Sequence, residues 1–323
     1  MRAWALMAIL AVTACAKKET VVTPTVAQRP LTAAEIDADP LALLPTGFVG
    51  IVRAEIPVVA KSALGPGILA IANRLAPLPQ SSGFVLERDV DRIVVGLYSM
   101  QGADAAGLAT GRFNPDAIQS AAASTAATSG GFVQSPYAGY LLYTVHNIGF
   151  CVLTQRTLLF GNETGMRRAL DRVRDGRAMH EMPDWTNALL DSSRAPLAFG
   201  GNLEANPLPA TATQQVPFLA GLHAIRVLGN FESPGVNLAG SMGYETPERA
   251  AQAAQEMLAS RDRLKSYGWI MNLVGVTQPI QRLEAQTTDR EVSFVTALDG
   301  AATAKIMTII TPTILSAVST TGQ

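Results

Sequence analysis

The chain has 323 residues, of which 48% are hydrophobic and 16% are charged, and its formal net charge is −1. This composition supplies enough apolar material for a large core, in one large domain or two ordinary ones. It excludes the strongly basic surface that nucleic-acid binding requires, so no nucleic-acid partner is expected. Aromatic residues make up only 6% of the chain, which argues against a stacking platform for sugars or bases.

The first fourteen residues have the features of a signal peptide. Arg2 provides a short positive region, and the apolar segment from Trp4 to Val12 is too short to span a bilayer comfortably. The segment ends in Val-Thr-Ala followed by Cys15, which resembles the bacterial lipobox, where small residues precede a cysteine. The resemblance implies export, cleavage before Cys15 and lipidation of Cys15. The alternative is an ordinary signal peptide cut nearby, with Cys15 incidental.

A lipidated Cys15 would make a membrane the first partner of this protein. Each buried methylene contributes ~0.8 kcal/mol, so a multiply acylated cysteine is a stable anchor. Ala16 follows it, whereas inner-membrane lipoproteins carry an aspartate there, so the resemblance implies the outer membrane. We assign residues 1–14 to the signal peptide and 15–40 to the lipidated cysteine and a flexible, proline-containing tether.

A first half, residues 41–180, alternates strand and helix patterns. Period-two apolar runs predict strands, and three-to-four-residue periodicity with capping residues predicts helices. The predicted elements are a strand at 48–52, a helix at 58–75 broken by Gly65-Pro66-Gly67, strands at 91–98 and 106–113, a helix at 117–127, a strand at 140–146, a strand at 150–160 kinked near Gln155-Arg156, and a helix at 163–174.

A second half, residues 181–323, follows a similar order. The predicted elements are a bridging helix at 183–190, a strand at 197–203, a partly helical stretch at 207–222, strands at 224–231 and 236–244, a helix at 247–267, strands at 280–286 and 291–298, and a helix at 301–318 kinked or broken near Pro312. We therefore predict an α+β fold with two similarly ordered halves, each about β-α-β-β-α-β-β-α. Antiparallel hairpins build its sheets and helices pack on one face.

The evidence for two similarly ordered halves is the position of the strand-to-helix junctions in each half. The junctions at Phe113 and Tyr244 occupy equivalent places in the two halves, as do those at Gly161 and Leu298. A G-x-E-T-x-x-R heptapeptide starts at Gly161 and again at Gly243, which are not equivalent places in the long repeat. We interpret the heptapeptide as shared helix-capping chemistry, because a carboxylate and a threonine satisfy free amides at any helix start.

No motif for catalysis, cofactor binding or metal binding stands out. The three histidines, His146, His180 and His223, lie in separate contexts without metal-ligand spacing. Cys151 lies in an apolar strand and is predicted to be a core residue, which leaves no pair for a disulfide. We predict no catalytic, cofactor or metal residues, and lipidation of Cys15 as the one site.

Two charged segments have a structural and a functional interpretation. Asp89 and Asp91 alternate with arginines, which favours a salt-bridged surface segment over a calcium or catalytic site. Five arginines lie in or just after the helix at 163–174, and they favour a solvated helix face over a site for anionic lipid or an acidic partner. They are Arg167, Arg168, Arg172, Arg174 and Arg177.

The opening Leu-Pro strand and the segment Tyr137 to Tyr143 resemble those of secreted proteins and lipoproteins of Gram-negative bacteria with no known activity. The favoured hypothesis is a membrane-anchored envelope lipoprotein that acts as a non-enzymatic binding or structural module, with an envelope protein as a second partner. The alternatives are an envelope hydrolase with a dispersed active site and a carrier of a small apolar ligand.

Overall fold

The structure is a computed structural model that describes residues 29–75, 78–99, 104–129, 132–191, 195–266 and 278–320. Its strands form one twelve-stranded sheet in which every pairing is antiparallel. The strands are β1 Gly50–Glu55, β2 Val90–Leu97, β3 Ala105–Gly111, β4 Val133–Tyr137, β5 Tyr140–Val145, β6 Ile148–Val152, β7 Thr157–Asn162, β8 Leu197–Asn202, β9 Leu222–Asn230, β10 Gly235–Tyr244, β11 Ile280–Thr288 and β12 Glu291–Asp299.

Helices of very different length connect these strands. They are α1 Ala33–Ala38, α2 Ile56–Val59, α3 Gly65–Leu75, α4 Leu86–Asp89, α5 Pro115–Ser129, α6 Glu163–Arg174, α7 Asn187–Leu190, α8 Ala210–Gln215, α9 Pro247–Ser266 and α10 Gly300–Thr320. Short 3₁₀ segments lie at Pro40–Leu43, Gln80–Ser82, Asp184–Thr186 and Pro217–Leu219. Among the described residues, none of these helices has the length and apolar character needed to cross a bilayer.

The strand order is mirrored about the centre of the sheet. From the central pair β1 and β8, the first half continues β2, β3, β7, β6 and the second half continues β9, β10, β12, β11. The α+β class and the hairpin-built sheet are thus confirmed, and the predicted equivalence of the helix-start junctions agrees with the topology. The strands β5 and β4 extend the first half beyond the repeat.

In the first half, helices cover both faces of the sheet instead of the one face expected. Because successive side chains point to opposite faces of a strand, Leu108 and Ala109 enter different cores. Leu108 packs with α1 and α6 residues such as Ile36 and Met166. Ala109 packs with α2 and α5 residues such as Ile56 and Ile118. Two apolar layers therefore hold this half of the sheet.

A third core joins α9 to the far half of the sheet. Ala250, Ala253 and Met257 of α9 pack against Met242 and Val292. The last helix, α10, reaches back to α3 of the first half. A side chain at Gly67 of α3 would overlap Met307 of α10, so glycine at this position permits the close helix contact.

Several predicted boundaries are wrong in instructive ways. The C-terminal end of the predicted tether, residues 29–40, is ordered: α1 is capped by Thr32 and buries Ile36, and the Leu31 amide bonds to the Val173 carbonyl. Residues 15–28 lie outside the described residues. The kink expected near Gln155-Arg156 is a full turn between β6 and β7. The helix α10 runs from Gly300 to Thr320 and contains Pro312, so the expected break at this proline is absent from the described helix.

The helix starts confirm the capping interpretation of the heptapeptide for its second copy only. At the first copy, the side chain of Asn162 accepts from the Gly165 amide. At the second copy, Thr246 accepts from the Arg249 amide instead. The two copies thus cap their helices with residues at different positions of the heptapeptide. Asn114 caps α5 as predicted, by accepting from the Ala117 amide.

Buried Arg172 ties α6 to two other segments. Its guanidinium donates to the carbonyls of Ala42 and Met179 at 2.7 and 2.6 Å, and pairs with Glu181 at 2.8 Å. The arginine side chain is 3% exposed, so water cannot replace these partners.

We expect Arg172→Ala to lower the free energy of unfolding by about 3 kcal/mol, because it leaves buried carbonyls without their charged donor. Arg174→Ala is the matched control on the same helix, since its half-exposed side chain pairs with the surface carboxylates of Asp171 and Asp175. Urea unfolding measures both variants. Equal losses would contradict this role of Arg172.

Candidate ligand cavity

An apolar cavity of about 180 Å³ lies between the sheet and the helices α3 and α4. Its floor is formed by β1, β2, β3 and β7, and its roof by α3, α4 and the segment between them. All sixteen lining residues are apolar. They are Val52, Ala54, Ile56, Ile68, Ile71, Ala72, Leu78, Phe84, Leu86, Val90, Ile93, Val95, Ala109, Phe113, Leu158 and Phe160.

The glycine at the start of α3 helps to explain the position of the helix that covers the cavity. The helical stretch predicted at 58–75 divides into α2 and α3, and the break falls before Gly65. A side chain at Gly65 would overlap the Ala60 carbonyl, so glycine lets the chain fold back tightly between the two helices. The floor has a similar adaptation, because Gly107 leaves room for the ring of Phe160 above it.

Two phenylalanines line both the cavity and a polar cleft at the surface. The rings of Phe84 and Phe113 are stacked, with centroids 6.1 Å apart and an angle of 22° between their planes. Both residues line the apolar cavity and also a cleft of about 310 Å³ that contains Arg88, Asp89 and Arg112. We call this second space the arginine cleft.

A network of hydrogen bonds fixes the arginine cleft. Arg88 donates to the Asp89 carboxylate and to the Gly83 carbonyl at 2.7 Å each. The Asp89 carboxylate also accepts from the Val85 amide at 2.8 Å. The pKa of Asp89 lies below its usual value because Arg88 bonds to the carboxylate, with smaller contributions from the Val85 amide and the charge of Arg112. The segment 83–89, which carries Phe84 and Leu86, is thereby held in place.

The arginines predicted to form a solvated face of α6 are engaged within the protein. Arg167 pairs with Glu163 and lies over the ring of Tyr137 at 4.5 Å. Arg168 lies over the ring of Tyr98 at 4.6 Å, and Arg172 is buried. Asp171 and Asp175 pair with Arg174, and Asp175 also pairs with Arg177.

The histidines and Cys151 are not brought together. His146 occupies an exposed turn, and exposed His180 bonds to Asp39 on the surface. Cys151 is fully buried, as predicted, and burial raises its thiol pKa to about 12, which leaves it unreactive. Within the described ranges, no three histidine, cysteine or acidic side chains cluster as metal ligands. Cys15 lies outside them.

The fold is similar to that of solved structures of the protein TP0453. Crystal form I matches with a TM-score of 0.53 and 9% sequence identity, over 85% of this chain and 97% of that chain. Crystal form III matches with a TM-score of 0.49 and 9% identity, over 85% and 98% of the two chains. At this identity the likeness shows a shared fold alone. No protein-family model matches the sequence, and no curated protein matches it either.

We expect Asp89→Asn to loosen the segment that carries Phe84. The Asp89 pKa is depressed in the folded state, so its stabilising effect is present at neutral pH and is lost as pH falls through that pKa. The unfolding midpoint of the variant should lie below that of the native chain at pH 7, and the difference should shrink toward pH 3.

Urea unfolding across this pH range, with amide hydrogen exchange at 83–89, makes the measurement. Asp91→Asn replaces an exposed carboxylate on the neighbouring strand and serves as the control. A difference between the Asp89→Asn variant and the native chain that stayed constant with pH would refute the electrostatic explanation.

Proposed function

We propose that this protein is a lipid-anchored envelope protein that binds a small apolar ligand in the cavity beneath α3. The observation that carries the proposal is the cavity itself, whose sixteen lining residues are all apolar. This makes the protein a non-enzymatic binding module and, among the alternatives raised by the sequence, a carrier of a small apolar ligand.

The size of the cavity sets the size of the ligand. An engineered apolar cavity of ~150 Å³ stays dry and binds benzene. The present cavity of about 180 Å³ is slightly larger. It therefore suits one ring or a chain of about six to eight carbon atoms, judged against that reference.

Keeping such a cavity empty has a cost in stability. An unfilled apolar cavity of about 180 Å³ leaves its lining atoms without dispersion contacts on one side. An apolar ligand restores dispersion contacts and removes its own surface from water, so bound ligand would recover part of this loss. A core without a ligand role would gain stability from larger side chains at Ala54, Ala72 or Ala109.

The lipobox supplies the second part of the proposal. Lipidation of Cys15 would hold the protein at a membrane, for which the residue after the cysteine favours the outer membrane. A membrane is also the natural reservoir of apolar molecules. An envelope protein that delivers or receives the ligand is the second partner we propose.

We expect the full chain with Cys15→Ser, which carries no lipid of its own, to bind octan-1-ol with a negative heat-capacity change, because apolar surface is buried. Ala72→Leu places three more carbon atoms in the cavity. Because each displaced methylene is worth ~0.8 kcal/mol, this variant should bind octan-1-ol at least about tenfold more weakly. Titration calorimetry at several temperatures measures both effects.

Ala70→Leu is the matched control, since Ala70 lies on the same helix but does not line the cavity. Its affinity for octan-1-ol should equal that of the parent, and thermal melting verifies that both variants are folded. If the parent chain binds no ligand with an eight-carbon chain, or if both leucine variants bind octan-1-ol equally well, the cavity is not a ligand site.

Cell fractionation tests the anchor. The native chain should sediment with the outer membrane, whereas Cys15→Ser should lose attached fatty acid and leave that fraction. Metabolic labelling with an alkyne fatty acid measures lipidation directly, and crosslinking in intact envelopes identifies protein partners. If both forms fractionate as soluble protein, the anchoring proposal is wrong.

A further inference from the structure

We infer that the ligand is an amphipathic anion, with one short apolar chain in the cavity and its head group in the arginine cleft. This inference rests on the proposed function and names the chemical class of ligand. Every described residue that lines the cavity is apolar, so a ligand with a polar group must place that group outside it. The stacked rings of Phe84 and Phe113 line both spaces, so the arginine cleft is a polar site that adjoins the cavity.

The charge of the arginine cleft selects an anion. Its charged residues are Arg88, Asp89 and Arg112, which together leave one net positive charge. Arg88 is engaged by the Asp89 carboxylate. Within the described residues, the Arg112 guanidinium makes no ion pair and donates to the Arg88 carbonyl at 2.7 Å. Because a guanidinium has five N–H donors, Arg112 retains donors for a ligand.

The backbone holds Arg112 in position for this role. Its amide donates to the Asp89 carbonyl at 2.7 Å, and the same peptide region is fixed from the other side by the Arg88 network. A side chain at Gly111 would overlap the Asp89 carbonyl, so this close strand contact needs glycine. The backbone of Arg112 is thus fixed and its exposed guanidinium is held by one bond, and a guanidinium can form two parallel hydrogen bonds to a carboxylate or phosphate.

The other polar space next to the cavity has the opposite character. It shares Leu78, Phe84 and Leu86 with the cavity, and its polar side chains are Asn73 and Glu87. A carboxylate there repels an anionic head group, whereas it would attract an amine. The two polar spaces therefore differ in the sign of the head group that they fit, and the arginine cleft is the one that fits an anion.

Four ligands with the same eight-carbon chain test the inference: octanoate, octyl phosphate, octan-1-ol and octylamine. The protein is the full chain with Cys15→Ser, measured by titration calorimetry at pH 7.5. We expect either anion to bind at least about tenfold more tightly than the alcohol, as charge-assisted hydrogen bonds warrant. The stronger anion then identifies the head group as a carboxylate or a phosphate.

Arg112→Gln should remove this tenfold preference and leave octan-1-ol affinity unchanged, and Arg112→Lys should restore part of it. Glu87→Gln is the control for a charge change at the other opening and should leave the anion preference intact. Thermal melting verifies folding, and unchanged binding of octan-1-ol verifies an intact cavity.

The outcomes separate the two proposals. Equal affinity for octanoate and octan-1-ol, a preference for octylamine, or an anion preference that survives Arg112→Gln would overturn the head-group inference while the cavity remains a ligand site. Failure of all four ligands to bind would overturn the proposed function itself.

Discussion

The antiparallel pairing of β1 with β8 is the interaction on which the rest of this structure depends. It runs from Gly50 opposite Gly201 to Ala54 opposite Leu197 and joins two half-sheets into one. Without it, each half would expose an unpaired strand edge, which is prone to association with other chains. Arg53 reinforces the junction, since it lies buried in β1 and donates to the carbonyls of Leu190 and Ala195 on the connection between the halves.

Most of the strands and helices follow from the apolar periodicity and the capping residues of their own segments. Alternating apolar residues mark β2 and β10, and capping residues mark the starts of α5 and α6, so these elements are predictable. The edge strand β4 is not, because its residues are largely exposed and it contains Pro136, which suits only an edge position. The ordered end of the tether is also missed, since Ile36 is a single apolar residue whose burial depends on distant α6.

The cavity could not be predicted, because its existence depends on how segments far apart in sequence pack. Ile68, Ile71 and Ala72 on α3 have the pattern of an ordinary core-facing helix, and sequence does not show that the space beneath them stays unfilled. The sequence shows the alanines at 54, 72 and 109, but only the structure shows that they face a shared space. The spacing of Arg88 and Asp89 predicts a salt bridge. It does not predict that this pair lies next to an apolar cavity.

The contact of α3 with α10 joins the two similarly ordered halves outside the sheet. The roof of the cavity belongs to the first half, yet its outer side is braced through Gly67 by a helix that ends the second half. The position of α3 therefore depends on packing against α10 as well as on the sheet beneath it. The last helix of the second half thus helps to hold the helix that covers the cavity of the first half, so the two halves share one packing unit as well as one sheet.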